Sequence, residues 1–283
     1  MSKAQNKVLP SNSVSILGCG WLGFPLAEFL ISENYEVFGS TTTIAKFELF
    51  KQKGISPIHI SINPALEIKK ANPFYDATVL IIAFPPRLRN NGEDFYLKQI
   101  ESIAEQLNFF KAEKIIFTSS TSIYPNLNRE VIENDADQNH VLIKAEQLLI
   151  NAAKKHQKSI NILRLSGLMG YDRIPCKYFA GKKGLTNGEN RVNYVHRDDV
   201  VGIIDKLIKE DIWNKTLNIT SPIHPKRQDV INSCCEKTGF EKPEFKKNIE
   251  VSDFKVINGR KLELIMPYTF LYPNPLDFPY EKD

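Results

Sequence analysis

Cysteine is scarce in this chain, and its spacing suits no metal. The four cysteines are Cys19, Cys176, Cys234 and Cys235. The adjacent pair cannot complete a tetrahedral site alone, and no C-x-x-C or H-x-x-x-H pair occurs, so no metal site is expected. Reduced, structural thiols in a cytoplasmic protein are the expectation. Long apolar runs are missing as well. The longest, Ala77 to Phe84, falls far short of the roughly 20 residues of a spanning helix, so no membrane partner is expected. The N-terminal MSKAQNKVLPSNS lacks the apolar centre of a secretory signal and reads as a short mobile tail over residues 1–13. Neither sign of charge dominates: the net charge is +4 and the basic residues are scattered. That argues against nucleic acid as the main partner, while a small anionic ligand stays easy to accommodate. No internal repeat or low-complexity linker is present.

With 283 residues, 42% of them hydrophobic and 25% charged, the chain suits one large domain or a domain with a smaller lobe. Its organising stretch is Val14-Ser-Ile-Leu-Gly-Cys-Gly-Trp-Leu-Gly-Phe-Pro-Leu-Ala27. An apolar run enters a turn with glycine at 18, 20 and 23, and a helical pattern follows to about Ile31. In a strand–turn–helix, G-x-G-x-x-G has a mechanical reason. Gly18 permits the tight turn, Gly20 lets the backbone approach a pyrophosphate, and Gly23 lets the helix pack closely on the strand. The helix N-terminus then offers N–H groups and a partial positive charge to phosphates. A tight β–α turn serving another ligand is the competing reading.

Further strands are expected at 35–39, 56–62, 77–83, 114–118, 159–165 and 216–220. Helices are expected at 44–53, 94–110, 139–155, 200–209 and 227–238. The unalternated run from Ala77 suits a parallel strand covered on both faces. This alternation implies an α/β fold, a doubly wound parallel Rossmann sheet over 14–166, with a small C-terminal substrate lobe over 167–283. The Gly-, Pro- and Lys-rich segment 171–191 reads as a lid or substrate loop, and 266–283 as an extended surface tail.

Several stretches, in order, resemble the atypical branch of the extended short-chain dehydrogenase/reductases, the NAD(P)-dependent epimerase/dehydratase-like proteins. They are Gly18-Cys-Gly-Trp-Leu-Gly23, Phe117-Thr-Ser-Ser-Thr-Ser-Ile-Tyr124, Ala145-Glu-Gln-Leu-Leu149, Ile162-Leu-Arg-Leu-Ser-Gly-Leu-Met-Gly170, Val192-Asn-Tyr-Val-His-Arg-Asp-Asp-Val200, Leu217-Asn-Ile-Thr220 and Lys255-Val-Ile-Asn-Gly-Arg-Lys-Leu262. The resemblance implies cofactor contacts from Gly18, Gly20, Trp21, Leu22 and Gly23. It also implies them from Phe84 and Pro85 along the nicotinamide ribose, and from Ser119 and Gly167. An NAD-preferring relative places an acid about 20 residues past the turn. Here Gly39-Ser-Thr-Thr-Thr43 has none. The hydroxyls of Ser40, Thr41 and Thr42, with Lys46 nearby, suit a 2′-phosphate and therefore NADP, with NAD as the alternative. The same residues also suit a cap for the helix that follows.

In catalytic relatives a Ser or Thr after the fifth strand works with Tyr-x-x-x-Lys on the next helix. Ser120 matches the serine, but the helix that follows carries no Tyr-x-x-x-Lys. By spacing, His140-Val-Leu-Ile-Lys144 puts His140 in the tyrosine place and Lys144 in the lysine place. Aligning on Ala145–Leu149 instead puts Gln138 and Leu142 there. A histidine can act as acid or base near neutral pH. Arg173, Lys177, Lys182 and Lys183 are candidates to meet an anionic substrate. The expected function is an NAD(P)-binding oxidoreductase or epimerase-like protein acting on a small polar, sugar-derived substrate. A non-catalytic NADP-binding sensor or scaffold is the alternative. Homodimer formation through helices 94–110 and 139–155 is compatible with their patterns.

Overall fold

The computed structural model describes residues 12–68, 72–247, 251 and 253–281. Residues 1–11 of the expected tail lie outside the described residues, and Ser13 opens the first strand. In chain order the elements begin β1 (Ser13–Leu17), α1 (Gly23–Ser32), β2 (Glu36–Thr41), α2 (Phe47–Gln52), β3 (Ser56–His59), β4 (Val79–Ile82) and a single turn, α3 (Leu88–Asn91). They continue with α4 (Glu93–Gln106), β5 (Lys114–Ser120), β6 (Arg129–Val131), α5 (Val141–Lys155), β7 (Ser159–Leu165) and β8 (Gly167–Met169). The chain closes with β9 (Tyr194–His196), α6 (Arg197–Lys209), β10 (Thr216–Ile219), α7 (Arg227–Thr238), β11 (Lys255–Ile257) and α8 (Arg260–Ile265).

Seven strands form one sheet in the order β10-β7-β5-β4-β1-β2-β3. β1 pairs in parallel with β2 and β4, β2 with β3, and β4 with β5. The order turns back at β1, so β2 and β4 flank it and a crevice opens past its carboxyl end. This is the doubly wound sheet that the alternation implies. Two small parallel ribbons, β8–β9 and β6–β11, accompany it.

Two compact units emerge. The first gathers the chain up to Thr118 with Val141–Ile162 and Trp213–Lys215; the second takes Ser119–His140, Leu163–Ile212 and Thr216 onward. In the first unit β1 and β4 are buried along their whole length. The two serines of β1 are tolerated because both are satisfied. Ser15 Oγ donates to the Phe74 carbonyl at 2.8 Å, and Ser13 Oγ accepts the Thr78 N–H at 3.1 Å. Helix α4 buries Tyr96, Ile100, Ile103 and Ala104 along one stripe.

In the second unit the stretch after α8 is extended, as expected, yet it is docked rather than loose. The buried Asp199 carboxylate of α6 accepts the N–H groups of Leu271 (2.7 Å) and Tyr272 (3.1 Å) and the Tyr268 hydroxyl (3.4 Å). Gly202, one turn on, leaves the notch that Tyr268 fills: a Cβ there would sit 2.5 Å from the hydroxyl oxygen. Further along, Phe278 is fully buried. All four cysteines are free and buried. Cys176, Cys234 and Cys235 pack with Ile174 and Ile231 in an apolar cluster, as structural thiols do.

His196 is fully buried among Tyr171, Tyr272 and Phe278, with ring centroids 4.0–5.2 Å away. Its Nδ1 accepts the Asp198 N–H and caps α6. Burial holds its pKa down near 4, against the opposing pull of Asp198. The folded state therefore keeps it neutral, while the unfolded chain takes up a proton at the ordinary 6.5. Stability is retained above that value and falls as pH drops from 6.5 towards 4, by up to about 1.4 kcal/mol per pH unit. Asp199, whose pKa burial raises, works in the opposite direction near the bottom of that window. We predict that His196→Asn, which keeps a capping oxygen, lowers the urea midpoint at neutral pH but flattens its decline on acidification. An unchanged decline would assign the acid sensitivity elsewhere.

Candidate functional site

The first unit presents the glycine turn. Gly18 sits at φ +96°, and a Cβ there would lie 2.7 Å from the Phe84 nitrogen. Its own N–H donates to Ser40 Oγ at 2.8 Å, and the next N–H, of Cys19, donates to the Ser40 carbonyl at 3.1 Å. Gly23 is equally constrained: a Cβ would lie 2.5 Å from the Gly18 carbonyl oxygen and 3.1 Å from Ile16 Cγ2. Gly20 differs. It is exposed, its φ is not positive, and a Cβ there would meet nothing within 4 Å. Two glycines are thus required by contacts within the protein and the middle one is not. What remains is an open, side-chain-free surface at the start of α1, where no side chain caps the helix and no acid lies in the first turn. That shape and polarity suit a pyrophosphate.

The neighbouring predicted cofactor residues are placed as follows. Leu22 is buried and Trp21 partly exposed. Ser40 is buried, and its hydroxyl and carbonyl together hold the turn. Thr41 Oγ1 accepts the Thr43 N–H at 3.1 Å, while Thr42 is exposed. Phe84 packs edge-on to Tyr96 with centroids 6.1 Å apart, and Pro85 is exposed. Burial, helped by Glu28, pushes the Cys19 thiol up to about 12. A thiol held protonated in this way is a poor nucleophile.

The second unit holds a cavity of about 310 Å³ lined by Ser120, Thr121 and Ser122 on one side. Arg191, Tyr194, Arg227 and Lys255, with Gly167, Val192 and Asn193, complete it. Ser120 ends β5, and its Oγ accepts the Ser122 N–H at 3.1 Å, capping the short turn that follows. A hydroxyl fixed as an acceptor from below keeps its own proton for a ligand. The turn ends at Tyr124, buried at 2% exposure. Its hydroxyl donates to Asn218 Oδ1 (2.5 Å) and accepts from Arg164 (3.0 Å). Arg164 also donates to the Glu133 carbonyl (2.8 Å), and Glu133 Oε1 accepts the Asn218 N–H (3.0 Å). Burial pushes the Tyr124 phenol up to about 12, so it braces the turn and carries no proton near neutrality. Gly167 lies on β8 against the Tyr194 ring, with room for no Cβ (2.6 Å to Cδ1). Ser119 lies beside Ser120 at the end of β5.

Of the three predicted catalytic residues, Ser120 lines the cavity. His140, in the same unit, does not; its N–H closes a turn onto the Asp137 carbonyl at 3.0 Å. Lys144 is an exposed residue of α5 in the first unit. The other register fares no better: Leu142 is buried at 3%, and the Gln138 amide donates to the Ala136 carbonyl at 2.9 Å. Neither carries a proton. The cavity's cations also differ from the expected ones. Arg173, Lys177, Lys182 and Lys183 are exposed and do not line it, and Lys183 pairs with Glu244 at 3.3 Å. Arg191, Arg227 and Lys255 escaped the sequence reading because they come from three separated segments. The only trace was that Lys255 opens one of the collinear stretches.

No protein-family model matches the chain. Protein YeeZ of Escherichia coli strain K12 is 33% identical over 275 residues, which span 95% of this chain and 99% of YeeZ. The chain belongs to the YeeZ family. Among solved structures, UDP-glucuronic acid 4-epimerase from Bacillus cereus in complex with NAD superposes with a TM-score of 0.77 at 16% identity, covering 94% of this chain and 93% of that one. MoeE5 in complex with UDP-glucuronic acid and NAD gives 0.75 at 16% identity, covering 95% and 97%. This YeeZ-family chain thus has the fold of the epimerase/dehydratase-like short-chain dehydrogenase/reductases. Among the described residues no helix is long and apolar enough to cross a membrane, and no group of three or more His, Cys, Asp and Glu is arranged to hold a metal.

The three glycines make a stability test. Gly23→Ala drives a Cβ into a backbone oxygen and should cost on the order of 2 kcal/mol or more. Gly18→Ala should behave alike, from strain and the Phe84 contact. Gly20→Ala should stay within about 0.5 kcal/mol of the parent. Urea unfolding of the three variants checks the ranking, and a Gly20→Ala loss as large as Gly23→Ala would refute this account of the turn.

Proposed function

We propose that the chain binds a nicotinamide dinucleotide at Gly18–Gly23, NADP in preference to NAD. We further propose that it works as an epimerase-type oxidoreductase on a small, anionic, sugar-derived substrate held in the cavity of the second unit. The observation that carries the reading is the unequal status of the three glycines. Gly18 and Gly23 answer to internal contacts, and Gly20 answers to none, which leaves close backbone approach to a ligand as its reason. Phe84, Pro85, Ser119 and Gly167 stay assigned to the cofactor by resemblance. Thr41, Thr42 and Lys46 are the groups assigned to a 2′-phosphate, since no acid follows β2 to claim the ribose hydroxyl.

The substrate assignment rests on charge and polarity. Two guanidiniums, one lysine amine, three aliphatic hydroxyls and the Tyr194 phenol line the cavity. That lining suits phosphate or carboxylate together with sugar hydroxyls. MoeE5, which shares the fold, was solved with a nucleotide sugar acid. The dinucleotide, when bound, supplies hydride acceptance and return. This chain's part is to orient the sugar, with Ser120 donating its free proton to the reacting oxygen and polarising it. A second reading, a non-catalytic NADP-binding sensor, is favoured by one observation: neither register of α5 supplies a tyrosine, and Leu142 is buried.

Titration with NADPH and NADH, followed by Trp21 quenching and heat of binding, is the direct test. NADPH should bind roughly tenfold more tightly than NADH, and Gly20→Ala should weaken it at least about tenfold without lowering stability. Failure of both nucleotides to bind would end the reading. With cofactor bound, Ser120→Ala should slow turnover of a UDP-sugar acid on the order of 100-fold, and absence of any turnover in the parent would favour the sensor.

A further inference from the structure

The cavity that contains Ser120 is lined by one phenol, Tyr194, whose pKa burial raises, and by one amine. Lys255 opens β11, and its backbone is held by one side chain at two points. Asn193 Nδ2 donates to the Lys255 carbonyl at 2.9 Å, and Asn193 Oδ1 accepts the Ile257 N–H at 2.8 Å. Its side chain is half-buried, and Nζ donates to the Tyr124 carbonyl, at the end of the turn that Ser120 caps. The amine and the Ser120 hydroxyl thus line one cavity from either end of a four-residue turn. The turn cannot drift, because Tyr124 is tied to Arg164 and Asn218.

Burial is what draws Lys255 towards its neutral form, and the charged groups around it are these. Arg191 and Arg227 share the cavity, and each spends an N–H on a carbonyl: Arg191 on His224 (2.7 Å), Arg227 on Asn187 (3.1 Å). The strand paired with β11 brings Arg129 opposite Lys255, with Glu130 next to it. Arg129 is paired with Asp135 (2.7 Å), and Glu130 Oε1 accepts from Asn258 (2.6 Å). Asp253, on the approach to β11, accepts from Asn126 (3.1 Å). Tyr194 faces the same cavity, its phenol raised by burial. Burial lowers the Lys255 pKa, as desolvation does for an ammonium.

We propose that Lys255 is a catalytic residue that exchanges a proton with the substrate oxygen to which Ser120 hydrogen-bonds. It would fill the proton-carrying role of the tyrosine absent from this chain. The proposal rests on the reading that the cavity holds the substrate. The neutral amine keeps one N–H on the Tyr124 carbonyl and turns its lone pair to the cavity. The O–H bond of a substrate hydroxyl breaks, the proton forms a new N–H bond on Nζ, and the electron pair stays on oxygen. Ser120 and the two guanidiniums then stabilise that oxyanion, and the reverse transfer restores the hydroxyl.

The test uses the full chain with NADP or NAD and UDP-glucuronic acid as the probe. Lys255→Met should lower turnover on the order of 100-fold while calorimetric affinity for the probe changes less than about threefold. Lys255→Arg keeps a hydrogen-bond donor in a long side chain but is permanently protonated and cannot accept a proton, so it should still bind and fail to restore turnover. Independently of activity, reductive ¹³C-methylation followed by NMR should show one lysine resonance, absent from Lys255→Arg, that titrates below the surface lysines and shifts on probe binding. Full rescue by Lys255→Arg, a loss of affinity equal to the loss of turnover, or titration with the bulk lysines would each overturn the proposal. If the parent protein does not bind the probe while Lys255 still titrates low, the substrate reading fails and this assignment falls with it. Normal binding with undiminished turnover in Lys255→Met removes the assignment alone.

Discussion

A crossing of three main-chain segments governs the first unit. Strand β1 lies between β2 and β4 in a parallel sheet, so the three carboxyl ends emerge side by side, each roughly 5 Å from the next. Gly18 leaves β1 at this edge with the Phe84 backbone on one side, and its N–H is taken by Ser40 of β2. Any Cβ at the crossing would strike main chain, which cannot yield as a side chain can. The close seat of α1 at Gly23 follows from the same geometry. Together they put the start of α1 at the switch point, where a parallel sheet leaves its crevice. The open backbone surface proposed to seat the cofactor is thus a consequence of packing at this edge.

The second unit depends on a different kind of constraint. Tyr124, Arg164, Asn218 and Glu133 form a buried polar network in which each partner named above is satisfied. Such a network is costly when incomplete and rigid when complete. It joins the turn after β5 to β7 and β10, and the cavity hydroxyls sit on that turn. Asn193 does the same for β11, and a single amide sets where Lys255 begins. The rigid supports are neutral or internally compensated. The uncompensated positive charge is left facing the cavity.

How much of this was legible in the sequence follows from the range over which each feature is encoded. The glycine turn and the strands around it are local patterns: the run at Ala77, the punctuation at Gly18, Gly20 and Gly23, and the apolar stripes of α4 and α5 each lie within one window. Tyr124, Arg164 and Asn218 lie in three of the collinear stretches, but the hydrogen bonds that join them cross between elements and are not written in any one stretch. The cavity is not written there either. Arg191, Arg227 and Lys255 are separated by dozens of positions and meet only after α7 and β11 have docked. The basic residues that did cluster in sequence, Arg173 to Lys183, are exposed, since a local run of charge is easily left in solvent. Ser40 reads as a hydroxyl for a 2′-phosphate or a helix cap and not as the acceptor that locks Gly18, because that bond joins the end of one strand to another.

The missing tyrosine looks at first like the loss of a catalyst, and the electrostatics of the cavity bear on that inference. A phenol works as a base only when a nearby cation lowers its pKa from about 10. The superfamily lysine supplies that cation from the next turn of a helix. In this chain the tyrosine position falls on the turn-bound His140 or on Gln138, just ahead of α5, and the second register puts the buried Leu142 at the lysine position, so neither register holds a phenol for a lysine to activate. A lysine in a half-buried cavity with two arginines needs no such partner. Burial alone, which disfavours an ammonium, brings an amine towards neutrality. The same positive lining then stabilises the alkoxide that forms. A site rich in arginine and free of acids is thus poorly suited to keeping a proton and well suited to passing one between an oxygen and an amine. That property belongs to the arrangement of Arg191, Arg227, Lys255 and Ser120, and it does not require the helix motif that this chain lacks.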